Sequence, residues 1–231
     1  DTYLVQLGDI FDGGGRKNVD SFKDNEVEIL IFLIKLKYLA KKRGGNVLIV
    51  FGNHEYMNFN YNFNYVQVES KKKCLKYNKN EYEIEFKKTS YDCNHREKLF
   101  EINGPLAILM SRYCYGILKI GSNIFVHGGA NKDLTKYYNI NIMNQLLKRY
   151  LRNKLTYNEK KHFKKIYGNE GLIWHRDYVK NNSRKSCKDL DESLSYLKGE
   201  RMIVGHTVQN GISSKCGRYS KKIWPIDVGL S

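Results

Sequence analysis

Tyr3-Leu4-Val5-Gln6-Leu7 is short, rich in strand formers and ends in Gly8-Asp9. From Asn25 to Lys42 the residues Val27, Leu30, Ile31, Ile34 and Tyr38 recur at helical spacing, and Gly44-Gly45 closes the run. A second strand-like segment, Asn46 to Phe51, ends in Gly52-Asn53-His54-Glu55. Strand, long helix, strand is the spacing of a right-handed βαβ crossover, whose two strands lie parallel. In open α/β sheets ligands bind at the carboxyl ends of strands, where Asp9 and Asn53 fall.

Beyond this unit, Asn58 to Tyr65 alternates Asn with aromatics, and Lys71 to Lys98 mixes Lys, Arg, acids, Tyr and Asn. Such bias predicts a solvated polar insertion at about 58–100. Order is expected to resume at Gly104-Pro105-Leu106. Gly116 to Ile120 and Ser122 to Val126 read as two strands turning at Gly121, the second ending in His127-Gly128-Gly129. Ile140 to Asn153 carries Ile142, Met143, Leu146, Leu147 and Tyr150 on one helical side. Lys154 to Gly171 is weakly patterned. Leu190, Leu194 and Leu197 mark a further helix, Arg201 to Val204 a strand ending in Gly205-His206-Thr207, and Lys221 to Val228 a final strand pair or bend around Pro225.

Composition narrows the class. At 231 residues, 41% hydrophobic and 28% charged, the chain is long enough for one sizeable domain and is not globally disordered. The longest apolar run, Ile29 to Ile34, is six residues, far short of a membrane span. Forty Lys and Arg against 24 Asp and Glu give a net charge of +16, which attracts phosphates, acidic partners or anionic surfaces. No RNA- or DNA-binding motif accompanies that charge, so nucleic acid is not the expected primary partner. The five cysteines, Cys74, Cys93, Cys114, Cys187 and Cys216, form no C-x-x-C pair and are odd in number. They read as reduced thiols, which favours a reducing, cytoplasmic compartment. A chain that opens on Asp1 and leads straight into a strand reads as an excerpt of a longer protein, truncated at both ends.

Four strand-like segments each end in a metal-ligand type beside a glycine: Asp9, Asn53, His127 and His206. Carboxylate, amide oxygen and imidazole suit Mn²⁺, Fe²⁺ or Zn²⁺ better than a thiolate-loving metal, and glycine lets the backbone approach closely. Alone, Gly8-Asp9 is also a common turn or cap, Asn53 fits a left-handed turn position, and a His at a strand end is usually a satisfied core or surface residue. Their recurrence at four strand ends makes the metal reading the stronger one.

With these motifs the chain resembles a calcineurin-like metallophosphoesterase of the phosphoprotein phosphatase group, with the nearest match among the Shewanella-like protein phosphatases. The resemblance rests on Gly8-Asp9-Ile10-Phe11-Asp12, Gly52-Asn53-His54-Glu55-Tyr56-Met57-Asn58, Phe125-Val126-His127-Gly128-Gly129, Leu172-Ile173-Trp174-His175-Arg176-Asp177-Tyr178, Val204-Gly205-His206-Thr207-Val208-Gln209 and Ile226-Asp227-Val228-Gly229-Leu230-Ser231. It implies a single α/β domain over 1–231, with two packed mixed β-sheets flanked by helices. It also implies two divalent ions, Mn²⁺ first and Fe or Zn next, with Asp9 bridging them and Asn53, His127 and His206 completing one. Phosphomonoesters would be hydrolysed by direct attack of a hydroxide between the ions, without a phosphoenzyme. His54, held by Asp12, would protonate the leaving oxygen. Arg176 resembles the family's phosphate clamp, the alternative being a surface Arg beside Asp177. Glu55 and Asp227 match positions that orient ligands or the clamp, with capping or surface solvation as the alternative. His95, His162 and His175 carry no expected role.

Two departures qualify the resemblance. The family's upstream Asp-x-His-Gly motif is absent, which predicts weak binding of the first ion and weak activity from these residues alone. Gly13 stands where the family carries Arg, so that either Arg16 swings back across Gly13-Gly14-Gly15 to the phosphate or one clamp is missing. The expected partner is a phosphoprotein or phosphopeptide substrate. Two other readings stay open: hydrolysis of a small phosphate ester or dinucleoside polyphosphate, and an impaired module that binds phosphorylated partners.

Overall fold

The computed structural model describes residues 2–12, 26–66, 96–181, 183–216 and 222–229. β1 (Tyr3–Gln6) pairs in parallel with β2 (Asn46–Val50), and α1 (Glu26–Lys41) makes the crossover that the spacing predicts. β2 pairs in parallel with β3 (Cys114–Tyr115), giving the order β1-β2-β3. In the second sheet β4 (Ile117–Ile120) turns at Gly121 into antiparallel β5 (Asn123–Val126). β6 (Arg201–Val204) and β7 (Ile223–Pro225) then add in parallel, so the order is β4-β5-β6-β7.

Side-chain alternation builds two layers from these strands. Leu48 and Val50 pack with Leu7 and Leu118 and with the half-buried Val5, Ile120, Phe125 and Ile203, which cements one sheet to the other. The intervening residues Val47, Ile49, Ile117, Ile124, Val126, Met202 and Val204 face the helices and join the larger core. Two sheets face to face with helices outside is the architecture the resemblance implies.

The helices are α2 (Asn53–Phe59), α3 (Arg96–Leu99), α4 (Pro105–Tyr113), α5 (Lys132–Thr135), α6 (Ile140–Leu151), α7 (Tyr157–Tyr167), α8 (Asp177–Lys180) and α9 (Arg184–Leu197). No described helix is long and apolar enough to cross a membrane.

Three sequence expectations change. The weakly patterned stretch 154–171 contains α7, opened by a reciprocal cap in which Thr156 and Glu159 satisfy each other's backbone N–H. Its many lysines hide an inward face of Phe163, Ile166 and Tyr167. The edges of the polar insertion are drawn into the domain: Asn58, Phe59, Arg96, Leu99 and Phe100 are all buried, and Phe100 meets Phe11 and Phe59 edge to face. Residues 67–95, with Cys74, Cys93 and His95, lie outside the described residues. Finally, the cysteines are not all reduced thiols. Cys187 and Cys216 form a disulfide with Cα atoms 5.1 Å apart, while Cys114 is a buried thiol. A separation of 29 residues gives no local pairing signal, and only the fold brings α9 against the segment after β6.

Candidate active site

Strand ends converge because β1 and β2 in one sheet and β5 and β6 in the other point their carboxyl ends at one cleft. Asp9, Asp12, His54, His127, Arg176, His206 and Asp227 line it together with the backbone around Gly8 and Gly205. Close approach dictates two of the glycines. A Cβ on Gly8 would lie 2.7 Å from Gly52 and 2.8 Å from His127, at a φ of +92° that suits glycine alone, and one on Gly52 would collide with Asp9. Asp9, Asp12 and His206 themselves have positive φ (56°, 70° and 62°), a concentration of strained backbone that surrounding contacts must hold.

Glu55 supplies much of that hold. Fully buried as the third residue of α2, it accepts N–H bonds from Gly52 (2.7 Å), Asp9 (2.9 Å), Ile10 (2.6 Å) and Phe11 (3.4 Å). The turn after β1 is thereby fastened to the start of α2. Burial and then the Asp9 charge push the Glu55 carboxyl up to about 7, against the pull of its N–H donors.

Asp9, His127 and His206 place one ligand atom each within 4.8 Å of one another. Asn53 Oδ1 joins them, 2.9 Å from His127 Nε2, and Asp9 Oδ2 lies 3.2 Å from the same nitrogen. His127 Nδ1 donates to the Leu7 carbonyl at 2.6 Å, so its Nε2 is the atom turned to the cluster. The buried His206 Nε2 has no hydrogen-bond partner. Burial, then the neighbouring His127 and Arg176, push its imidazole down to about 3, which keeps a lone pair available at neutral pH. Burial opposes a charge on Asp9, yet His127 and His54 hold its carboxyl well below the usual range. Two oxygens and two imidazole nitrogens, one of them the orphaned buried Nε2 of His206, fit a borderline divalent cation.

Beside this cluster, His54 Nδ1 donates to Asp12 Oδ2 at 2.9 Å, and its backbone N–H donates to Asp9 Oδ1 at 3.1 Å. Burial works against protonating His54, but the Asp12 bond and the charges of Asp9, Asp12 and Glu55 raise its pKa overall. Arg176 Nη1 donates to the His206 carbonyl at 2.7 Å, which points the guanidinium along the cleft wall. Asp227 lines the cleft within electrostatic range of Arg176 and accepts from Gly229 N–H. Gly13 and Arg16 lie outside the described residues.

The Calcineurin-like phosphoesterase family model matches residues 1–210. The chain belongs to the calcineurin-like phosphoesterase family. Members generally use two divalent metal ions, and the cluster around Asp9 supplies possible ligands for one of them. This calcineurin-like phosphoesterase is 29% identical to Shewanella-like protein phosphatase 2 of Arabidopsis thaliana, over all of this chain and 62% of the relative. It is 28% identical to Shewanella-like protein phosphatase 1 of Plasmodium berghei, over 99% of this chain and 57% of the relative. The chain thus spans about three fifths of the length of these two relatives. In fold it resembles the cold-active protein tyrosine phosphatase of a psychrophilic Shewanella, with a TM-score of 0.69 and 21% identity over 98% of this chain and 60% of that one.

Sequence reasoning missed Asn58, Arg96 and Glu26 as neighbours of the site. Asn58 had a signal, since it stands four residues after His54 and therefore on the same helical face. Arg96 and Glu26 had none, lying 84 and 14 residues from Asp12.

Proposed function

We propose that this chain carries the catalytic site of a metal-dependent phosphoprotein phosphatase that hydrolyses phosphomonoesters. The observation that carries the reading is the shared cleft, in which the Asp9, His127 and His206 donors, a hydrogen-bonded His–Asp pair and an arginine face one another, with Asn53 Oδ1 against His127 behind them. Asp9, Asn53, His127 and His206 would hold a divalent cation, with Mn²⁺ as the first choice. When bound, such an ion supplies positive charge that polarises the phosphoryl group and acidifies water.

The chain's own residues do the rest. Leu7 fixes the His127 ring, and Glu55 fixes the backbone of Asp9. Arg176, anchored on the His206 carbonyl, offers its remaining N–H groups to phosphoryl oxygens. Asp12 accepts from His54 Nδ1, which leaves Nε2–H to pass its proton to the departing oxygen. A phosphoprotein substrate is supported by relatives named protein phosphatases and by a charge of +16 that favours acidic, phosphorylated partners.

The test is Mn²⁺-dependent hydrolysis of p-nitrophenyl phosphate and a phosphopeptide by the full-length protein, with metal content measured in parallel. Asp9→Asn is expected to lower bound metal and reduce turnover by roughly 100-fold or more. Turnover that survives Asp9→Asn, or that proceeds unchanged with chelator, would sink the reading.

A further inference from the structure

Arg96 is a fully buried arginine between two buried carboxylates. Its Nη2 lies 3.2 Å from Asp12 Oδ1 and 2.8 Å from Glu26 Oε2. Its Nε donates to Asn58 Oδ1 at 2.8 Å. The Asn58 amide in turn donates to both Asp12 oxygens, at 2.9 and 3.0 Å, and to the His54 carbonyl at 2.9 Å. Glu26 closes the ring by accepting the Asp12 backbone N–H. Phe100 packs under the guanidinium, 5.0 Å from its centre.

A carboxylate held only by His54 would be able to turn about its own axis. Here Asp12 Oδ1 is engaged by Arg96 and Asn58, so the carboxylate plane is set and Oδ2 is left aimed at His54 Nδ1. Two buried carboxylates also require a cation between them, and a planar guanidinium meets both while a lysine would act only as a point charge.

We infer that Arg96 is a positioning residue for the Asp12–His54 pair: through Asp12 and Asn58 it fixes the ring of His54 so that Nε2 faces the leaving oxygen. The catalytic consequence rests on the phosphatase reading. Arg96 reaches the pair from α3, whose Leu99 and the following Phe100 are anchored in the core, so the far edge of the 58–100 segment is built into the catalytic constellation.

A purely structural arginine and a positioning one differ in their leaving-group dependence. A phosphoserine peptide leaves as an alkoxide that needs a proton, whereas p-nitrophenyl phosphate leaves as a stable anion. In the full-length protein, Arg96→Met should cost at least about 10-fold more in kcat/KM on the peptide than on the aryl ester. Arg96→Lys should recover part of that difference, and Arg96→Met should add little in a His54→Asn background. An equal loss on both substrates, or losses additive with His54→Asn, overturns the inference. If Arg96→Met does not fold, the Glu26→Gln/Arg96→Met pair removes the uncompensated charge and carries the same comparison.

A second readout needs no turnover. The Nδ1 proton resonance of His54 should be slow to exchange with solvent in the wild type, held in its bond to Asp12, and should exchange faster in Arg96→Met; an unchanged resonance overturns the inference. A wild type that binds metal yet hydrolyses neither substrate would sink the phosphatase reading, and that resonance would still decide the role of Arg96.

Discussion

His175 illustrates how a single residue can matter without touching the cleft. It lies between Trp174 and Arg176, buried against Gly129 and edge to face with Tyr178, and neither ring nitrogen has a hydrogen-bond partner. Burial lowers its pKa below 6.5, only partly offset by Asp177, Asp189 and Glu170. The unfolded chain therefore takes up a proton that the folded one excludes, and stability present above pH 6.5 is lost as pH falls below it. Relative to His175→Leu, the wild type should lose up to about 1.4 kcal/mol per pH unit there, measured by urea unfolding. Gly8 is the other residue-scale test. Gly8→Ala adds a Cβ against the Gly52 backbone at a positive φ, and should cost roughly 2–3 kcal/mol in the same assay.

At the scale of elements, α2 and α7 show opposite relations between sequence and structure. α2 begins at a strand-end motif that reads as a turn, yet its third residue, Glu55, reaches back to Gly52 and across to three N–H groups of the β1 exit. The helix start and the turn that carries Asp9 thus form one unit. α7 looks too polar for a helix, but the Thr156-x-x-Glu159 pattern is a start signal present in the sequence itself. Thr156→Ala should destabilise by about 1 kcal/mol, a fall of roughly 2–4 °C in Tm by thermal scan, because the cap is exposed and Arg149 still pairs with Glu159. A loss near zero would mean that packing of Phe163, Ile166 and Tyr167 alone holds α7.

For the whole molecule, the donor cluster proposed to hold a cation draws on both sheets, since Asp9 and Asn53 follow strands of one and His127 and His206 follow strands of the other. Mn²⁺ at about 100 times its Kd should therefore stabilise the fold by about 2.7 kcal/mol, roughly 5–10 °C in Tm for a domain of this size. His206→Ala should remove most of that shift, and an undiminished shift would move the ion elsewhere. The βαβ start, the second-sheet strands and the placement of Asp9, Asn53, His127 and His206 at strand ends were legible in the sequence because each is a local pattern: alternation, helical spacing, or a glycine beside a polar residue. The pairing of Cys187 with Cys216 and the burial of Arg96 between Asp12 and Glu26 were not, because they join segments distant in sequence whose residues are individually unremarkable polar or small types. Local sequence thus determined which chemical groups stand at the strand ends. Tertiary structure alone decided which distant charges would share a dry interior and hold the Asp12–His54 pair in place, since burial makes such charges depend on partners that no short stretch of chain contains.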